Sequence, residues 1–282
     1  MEISTYVKDL ITLAIAEDIG DGDHTSLACI PPQQKGEMVL LVKQTGIIAG
    51  VEMADYIFSV IDPEIATTRF ISDGTKVNPG DKVFLAKGKT TSLLKAERLV
   101  LNIMQRMSGV ATQTHQYAEE LHGLKTKVLD TRKTTPGMRI LDKWAVKIGG
   151  GENHRMGLFD MILIKDNHID FAGGIEKAIQ CAKHYLSENN KTLKIEIEAR
   201  NLNDIREILH AGEIHRILLD NFTIEQTKKA VELIDGNYET ESSGGITIET
   251  LRDYAMCGVD YISVGALTHQ IKSLDLSLKA VQ

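Results

Sequence analysis

Arg216-Ile217-Leu218-Leu219-Asp220-Asn221 is a short apolar run that stops on a carboxylate and an amide. The same pattern recurs on both sides of it. Apolar runs at Leu193–Ile197, Tyr238–Thr240 and Tyr261–Val264 flank it, and earlier ones at Lys127–Leu129 and Met161–Ile164 begin the series. The later runs return roughly every 22 residues, which leaves room for one helix between strands and predicts βα units. Each run ends in polar or small residues: Asp130-Thr131-Arg132, Lys165-Asp166-Asn167-His168, Glu198, Asp220-Asn221, Glu241-Ser242-Ser243-Gly244-Gly245 and Gly265-Ala266. Parallel α/β structures gather their functional groups at the carboxyl ends of strands. Six or seven such units, without an evident eighth, predict an open, irregular βα barrel.

The first hundred residues have a different texture. Ser4 to Ala16 reads as a helix, with Ser4 as N-cap and Val7, Leu10, Ile11 and Ala14 on one face. Strands are expected at Glu37–Lys43 and Thr67–Ile71, with a helix near Val51–Ile61 between them. A pair of turns follows over Asp73–Val83. A long helix begins near Ser92, runs past Arg98 to Met107, and continues after Gly109 to Leu121. This part reads as a small α/β layer domain.

Bulk composition narrows the function classes. The chain has 282 residues, 43% hydrophobic and 25% charged, as in ordinary globular proteins. A formal net charge of −7 argues against non-specific binding to nucleic acid or an anionic membrane. No apolar run approaches the roughly 20 residues that span a bilayer. Cys29, Cys181 and Cys257 are far apart and odd in number, which suits free thiols in a reducing cytoplasm. Asn221-Phe222-Thr223 matches a glycosylation sequon by chance, since no secretory signal accompanies it.

Against the acidic whole stands a cationic island. From Lys125 to His168 there are nine Lys/Arg and five Asp/Glu, a local net of +4 (9 − 5). Arg132, Lys133, His154, Arg155 and Lys165 form its cationic side among turn-forming residues, and arginine forks match carboxylate or phosphate. Lys125, Lys127, Lys143 and Lys147 read instead as a solvated basic face. Ser242-Ser243-Gly244-Gly245-Ile246 and Ser263-Val264-Gly265-Ala266 each join a strand to a helix. Backbone amides there favour a phosphate, and barrels often place one at their last two loops. Glu198 and Asp220 end successive strands and suit Mg²⁺, partly through water, or ribose hydroxyls. Glu196 points the same way and competes with Glu198. Lys165 alone would also suit a Schiff-base lysine.

Taken in order, Asp130–Arg139, Gly149–Arg155, Leu163–His168, Leu218–Asn221, Glu241–Ile246 and Ser263–His269 resemble the quinolinate phosphoribosyltransferase family, as do Glu17–Thr25 and Ala96-Glu97-Arg98. The resemblance implies a type II phosphoribosyltransferase: an N-terminal α/β sandwich over 1–110, joined by the tail 269–282, and an open seven-stranded βα barrel over 111–268. It implies transfer of phosphoribose from 5-phosphoribosyl-1-pyrophosphate (PRPP) to quinolinate, with decarboxylation and Mg²⁺, in NAD biosynthesis. It also implies a cytoplasmic homodimer with a shared active site, a hexamer being the alternative assembly.

By motif, Arg132, Lys133, His154 and Arg155 would surround the quinolinate carboxylates, with Arg98 from the partner subunit. Lys165 would lie near the reacting groups, Glu198 and Asp220 would serve Mg²⁺ and ribose, and Ser243, Gly244, Gly245, Gly265 and Ala266 would hold the 5-phosphate. Lys133, Lys165, Glu198 and Asp220 form the catalytic set. Arg106 lies two turns after Arg98 on roughly the same helix side, so choosing Arg98 rests on the resemblance. Competing readings are a paralogue acting on another aromatic acid, a Schiff-base lyase using Lys165, and a carrier module suggested by the Gly74–Gly88 turns.

Overall fold

The structure is a computed structural model that describes residues 3–281. In chain order its elements begin with α1 (Thr5–Ile19), α2 (His24–Cys29), β1 (Lys35–Val42), β2 (Gly46–Ile47), α3 (Val51–Ile61), β3 (Ala66–Arg69), β4 (Lys76–Val77), β5 (Lys82–Lys89) and α4 (Thr90–Glu120). There follow β6 (Lys127–Leu129), α5 (Arg139–Ile148), β7 (Ile162–Ile164), α6 (Asp166–Ala172), α7 (Ile175–Glu188), β8 (Ile195–Ala199) and α8 (Leu202–Ala211). The rest are β9 (Arg216–Asp220), α9 (Ile224–Ile234), β10 (Glu239–Ser243), α10 (Ile248–Met256), β11 (Tyr261–Ser263), α11 (Ala266–His269) and β12 (Leu276–Ala280).

One compact unit comprises residues 3–115, 135–150 and 270–281. Its main sheet is antiparallel, in the order β12-β1-β5-β3. Met38, Leu40 and Val42 alternate inward along β1, the period-two pattern of a strand with one covered face. Phe58 of α3 meets Phe84 of β5 edge to face, with ring centroids 5.8 Å apart. Both rings are buried, each contributing roughly 1.5–3 kcal/mol by leaving water. Leu93, Ala96, Val100, Met104 and Met107 line the inner face of α4 at helical spacing. Ser4 caps α1 as expected, its hydroxyl accepting from the Val7 N–H.

The expected division at 110/111 did not separate out residues 135–150, which group with this first unit. Arg106 of α4 explains the grouping. Its Nε and Nη2 each lie 2.8 Å from an Asp142 oxygen, and Nη2 also donates to Thr135 Oγ1. Asp142 is 1% exposed, so this fork holds α5 to α4. The apolar-run pattern marks no element at α5, where Lys143 and Lys147 read as a solvated basic face. Lys143, expected on a solvated face, is instead fully buried, while Lys125, Lys127 and Lys147 are exposed as expected.

The second unit spans residues 116–134 and 151–269. Its sheet is parallel throughout, ordered β6-β11-β10-β9-β8-β7. Among the described residues it has six strands where the resemblance implied seven. The remaining position shrinks to one parallel bridge, Leu129 to Glu152, in which the Glu152 N–H donates to the Val128 carbonyl at 2.9 Å. Glycines at 149–151 leave little strand-forming sequence there. β8 begins later than expected, and β10 runs on through Ser243. Both shifts take polar residues into the sheet, because the barrel interior of this unit is itself charged.

Candidate active site

Register brings Glu196 opposite Arg216, Arg216 opposite Glu239, and Glu241 opposite both Leu218 and Tyr261. One residue pair further along, Glu198 lies beside Leu218, and Asp220 beside Ser243. Alternation puts all these side chains on one face of the sheet. The deeper layer is thus Glu196, Arg216 and Glu239, the next is Glu198 and Glu241, and Asp220 and Ser243 stand at the strand ends.

The deep layer is held by Arg216. Its Nη1 donates to Glu241 Oε2 at 2.9 Å, its Nη2 reaches Glu239 at 3.1 Å, and its guanidinium stacks 4.0 Å from the Tyr261 ring centroid. Glu196 and Glu241 are fully buried. Burial pushes both carboxyls up to about 7, with Arg216 pulling the other way. The two carboxyls lie against each other, an arrangement that favours a proton on the pair.

His154 closes this layer from above. Its Nε2 lies 3.0 Å from Glu196 Oε2 and 3.5 Å from Glu241 Oε2, and its side chain is 7% exposed. The Arg155 backbone N–H donates to His154 Nδ1 at 2.7 Å, which leaves Nε2 directed at the two glutamates. His154 is thus engaged by two buried carboxylates. Asp130, fully buried at the end of β6, accepts the His154 N–H at 2.9 Å and fixes the same turn. Three ligand atoms of His154, Glu196 and Glu241 lie within 4.8 Å of one another, a spacing that would suit a metal. Arg216 already supplies the balancing cation there.

Arg155 leaves this turn toward the mouth, its Nη1 donating to the Met161 carbonyl at 3.2 Å. Its guanidinium is held below the usual arginine range, first by burial and then by the charge of Arg132. Two like charges this near each other favour a neighbouring anion. An open cleft of about 360 Å³ adjoins Arg155 and is walled by Met161, Leu163, Ile164 and His168.

Lys165 Nζ donates to Glu198 Oε1 at 2.6 Å, and the Asp166 N–H donates to Glu198 Oε2 at 3.1 Å. Both Glu198 oxygens thus already take protein donors. Asp220 is less encumbered, and its carboxyl is raised by burial and then by the like charge of Glu198. Glu196, the competitor of Glu198, lies one layer deeper and away from Lys165.

The two glycine loops end β10 and β11. Gly244 and Gly245 both have positive φ, and their amides have no protein acceptor among the described residues. At Gly265 an added Cβ would meet Lys133 Cδ and His269 Nε2, each at 3.0 Å. The Lys133 stem therefore crosses the β11 loop beside Gly265. Thr268 Oγ1 donates to the Lys133 carbonyl at 2.9 Å and fixes that crossing. His269 was quoted only as part of a motif, and its place beside Gly265 adds it to the site. Asp130 was likewise legible only as a strand-end carboxylate. Ala266 opens α11, and Arg98 projects from α4 as an exposed side chain of the first unit. The other expected residues, Arg132, Lys133, His154, Arg155, Lys165, Glu198, Asp220, Ser243, Gly244, Gly245, Gly265 and Ala266, all fall in the second unit.

Residues 23–108 match the family model described as "Quinolinate phosphoribosyl transferase, N-terminal domain", and residues 110–279 match its C-terminal domain. The chain is 46% identical over 291 aligned residues to "Quinolinate phosphoribosyltransferase [decarboxylating] 1b" of Nicotiana tabacum, covering 98% of this chain and 83% of that protein. It is 41% identical to "Probable nicotinate-nucleotide pyrophosphorylase [carboxylating]" of Bacillus subtilis, covering 96% and 92%. The crystal structure of NadC from Streptococcus pyogenes superposes with a TM-score of 0.94 at 35% identity, covering all of both chains. With both family models matched over most of its length and relatives above 40% identity, the chain belongs to the quinolinate phosphoribosyl transferase family.

Proposed function

We propose that this chain transfers phosphoribose from PRPP to quinolinate with loss of carbon dioxide, giving nicotinate mononucleotide and pyrophosphate for de novo NAD biosynthesis. The observation that carries the reading is the gathering of Glu198, Asp220 and the glycine loops at the strand ends, with Arg132 near enough to Arg155 for their like charges to interact. Quinolinate bears two adjacent carboxylates and calls for two cationic forks in one place.

The pyridine nitrogen attacks the anomeric carbon as the bond to pyrophosphate breaks. Positive charge develops on the ribose, and Glu198 and Asp220 stand at the strand ends to stabilise it. The ribosylated nitrogen is cationic, so it accepts the electron pair when the adjacent carboxylate leaves as carbon dioxide. The ring carbon then takes up a proton. Gly244, Gly245, Gly265 and Lys133 hold the 5-phosphate throughout. The residues act by positioning and charge, with no covalent intermediate.

Mg²⁺ fits the chemistry of Asp220, a hard oxygen ligand whose repulsion from Glu198 a cation would relieve. When bound, Mg²⁺ neutralises the leaving pyrophosphate. Glu198 retains lone pairs for a water of that ion.

A homodimer in which Arg98 reaches the neighbouring site belongs to the same reading. Leu158, Phe159 and Phe171 are 71%, 72% and 92% exposed, an apolar surface that suits covering by a second copy. A reducing, cytoplasmic setting suits the three free thiols. Among the described residues no helix is long and apolar enough to cross a membrane.

The test is an assay with PRPP, Mg²⁺ and quinolinate that follows nicotinate mononucleotide and released carbon dioxide, with nicotinate as comparison substrate. Absence of turnover with quinolinate refutes the reading.

A further inference from the structure

Asn221 directly follows Asp220 and lies beside the Gly244–Gly245 loop, yet neither the motif nor the charge pattern gives it a task. Three contacts define it. Its backbone N–H donates to the Ser243 carbonyl at 2.8 Å. Its Nδ2 donates to Asp220 Oδ2 at 2.9 Å. Its side-chain oxygen occupies the space that a Cβ on Gly244 would need.

The backbone explains why an asparagine can do this. Asn221 has φ +55°, in the left-handed region where asparagine is tolerated far better than most residues. That conformation ends β9 and turns the side chain back across its own predecessor. Gly244 has φ +100° and no side chain, so the two loops close directly on each other. One residue thus touches both the strand-end carboxylate and the turn that opens the phosphate loop.

We propose that Asn221 is a positioning residue for phosphoribosyl transfer, fixing the Asp220 carboxylate relative to the Gly244–Gly245 loop so that ribose and 5-phosphate are held at one spacing. The inference rests on the reading that these two elements take PRPP. The Nδ2 donor leaves one face of Asp220 free while stopping its rotation. The backbone bond to Ser243 keeps β9 and β10 in register one residue beyond the paired strands.

The test compares wild type with Asn221→Gly and Asn221→Asp. Glycine keeps the left-handed turn and removes the side chain. Aspartate keeps an oxygen against Gly244 but loses the donor and repels Asp220. Loss of a hydrogen bond to a charged group corresponds to roughly a tenfold to hundredfold fall in kcat/KM for PRPP. Both variants should show it, with KM for quinolinate within about twofold and thermal midpoints close to wild type. Wild-type kinetics in both variants, or parallel losses for both substrates with a lowered midpoint, overturn the proposal. Full activity in Asn221→Asp alone also overturns it, because the oxygen would then act only as a spacer. Failure of wild type to turn over PRPP and quinolinate would instead remove the underlying reading.

Discussion

Lys165 Nζ lies 2.6 Å from Glu198 Oε1, and the pair joins the ends of two neighbouring strands. An amine that attacks a carbonyl must first give up its proton, whereas Lys165 is engaged charge to charge. Borohydride in the presence of sugar phosphates should therefore leave the protein mass unchanged, and a trapped adduct on Lys165 would restore the lyase reading. Glu198→Gln should lower kcat more than the KM for quinolinate, since it frees Lys165 and removes a charge beside the ribose.

The arginine pair makes the second prediction. Arg132→Ala and Arg155→Ala should each cost about 1.5–3 kcal/mol of substrate interaction, or roughly 10- to 150-fold in kcat/KM for quinolinate. Circular dichroism should show an intact fold. Wild-type kinetics in both variants would remove the arginines from the pocket.

The Glu196–Glu241 pair predicts how stability depends on pH. Both carboxyls are raised from 4.5 to about 7, so between those values the folded protein keeps a proton that the unfolded chain releases. Stability should fall as pH rises through that window and level off above it. For one shared proton the loss is on the order of 3 kcal/mol. In denaturant unfolding from pH 5 to 8, Glu241→Gln should flatten the slope, because the amide supplies Glu196 with a donor at every pH. An unchanged slope would show that the pair holds no proton.

Mg²⁺ removal tests the carboxylates at the mouth. Chelation should abolish turnover and added Mg²⁺ restore it, while Asp220→Ala should raise the Mg²⁺ concentration needed for half-maximal rate. Undiminished turnover in excess chelator would exclude the metal from the reaction.

The shared site predicts complementation. Arg98→Ala and Arg155→Ala proteins, each weakened in kcat/KM for quinolinate, should regain part of the loss when mixed and allowed to exchange subunits. No recovery under conditions where mixed dimers form would place Arg98 outside the neighbour's site.

Some of this architecture was legible because its cause is local. Apolar runs bounded by Gly, Asp and Asn gave all six parallel strands within a few residues, and Val51–Ile61 was read to the residue. β8 and β10 were misplaced for one reason. Their inward residues Glu196, Glu198, Glu241 and Ser243 are polar, and a pattern rule treats polar residues as loop. Arg106 could not be told from Arg98 on a helix wheel, and only the fork onto buried Asp142 assigns it to the framework.

By itself the sequence determined the class of fold, the order of the motifs and the chemistry available at the strand ends, since hydrophobic period and turn residues act over a few positions. Tertiary structure alone decided which charges meet. It set His154 against buried Glu196 and Glu241, sent Lys133 across Gly265, and raised both glutamate carboxyls by burial. Those outcomes depend on burial and on distances of a few ångströms between residues far apart in the chain, where the loss of water turns small displacements into changes of charge state.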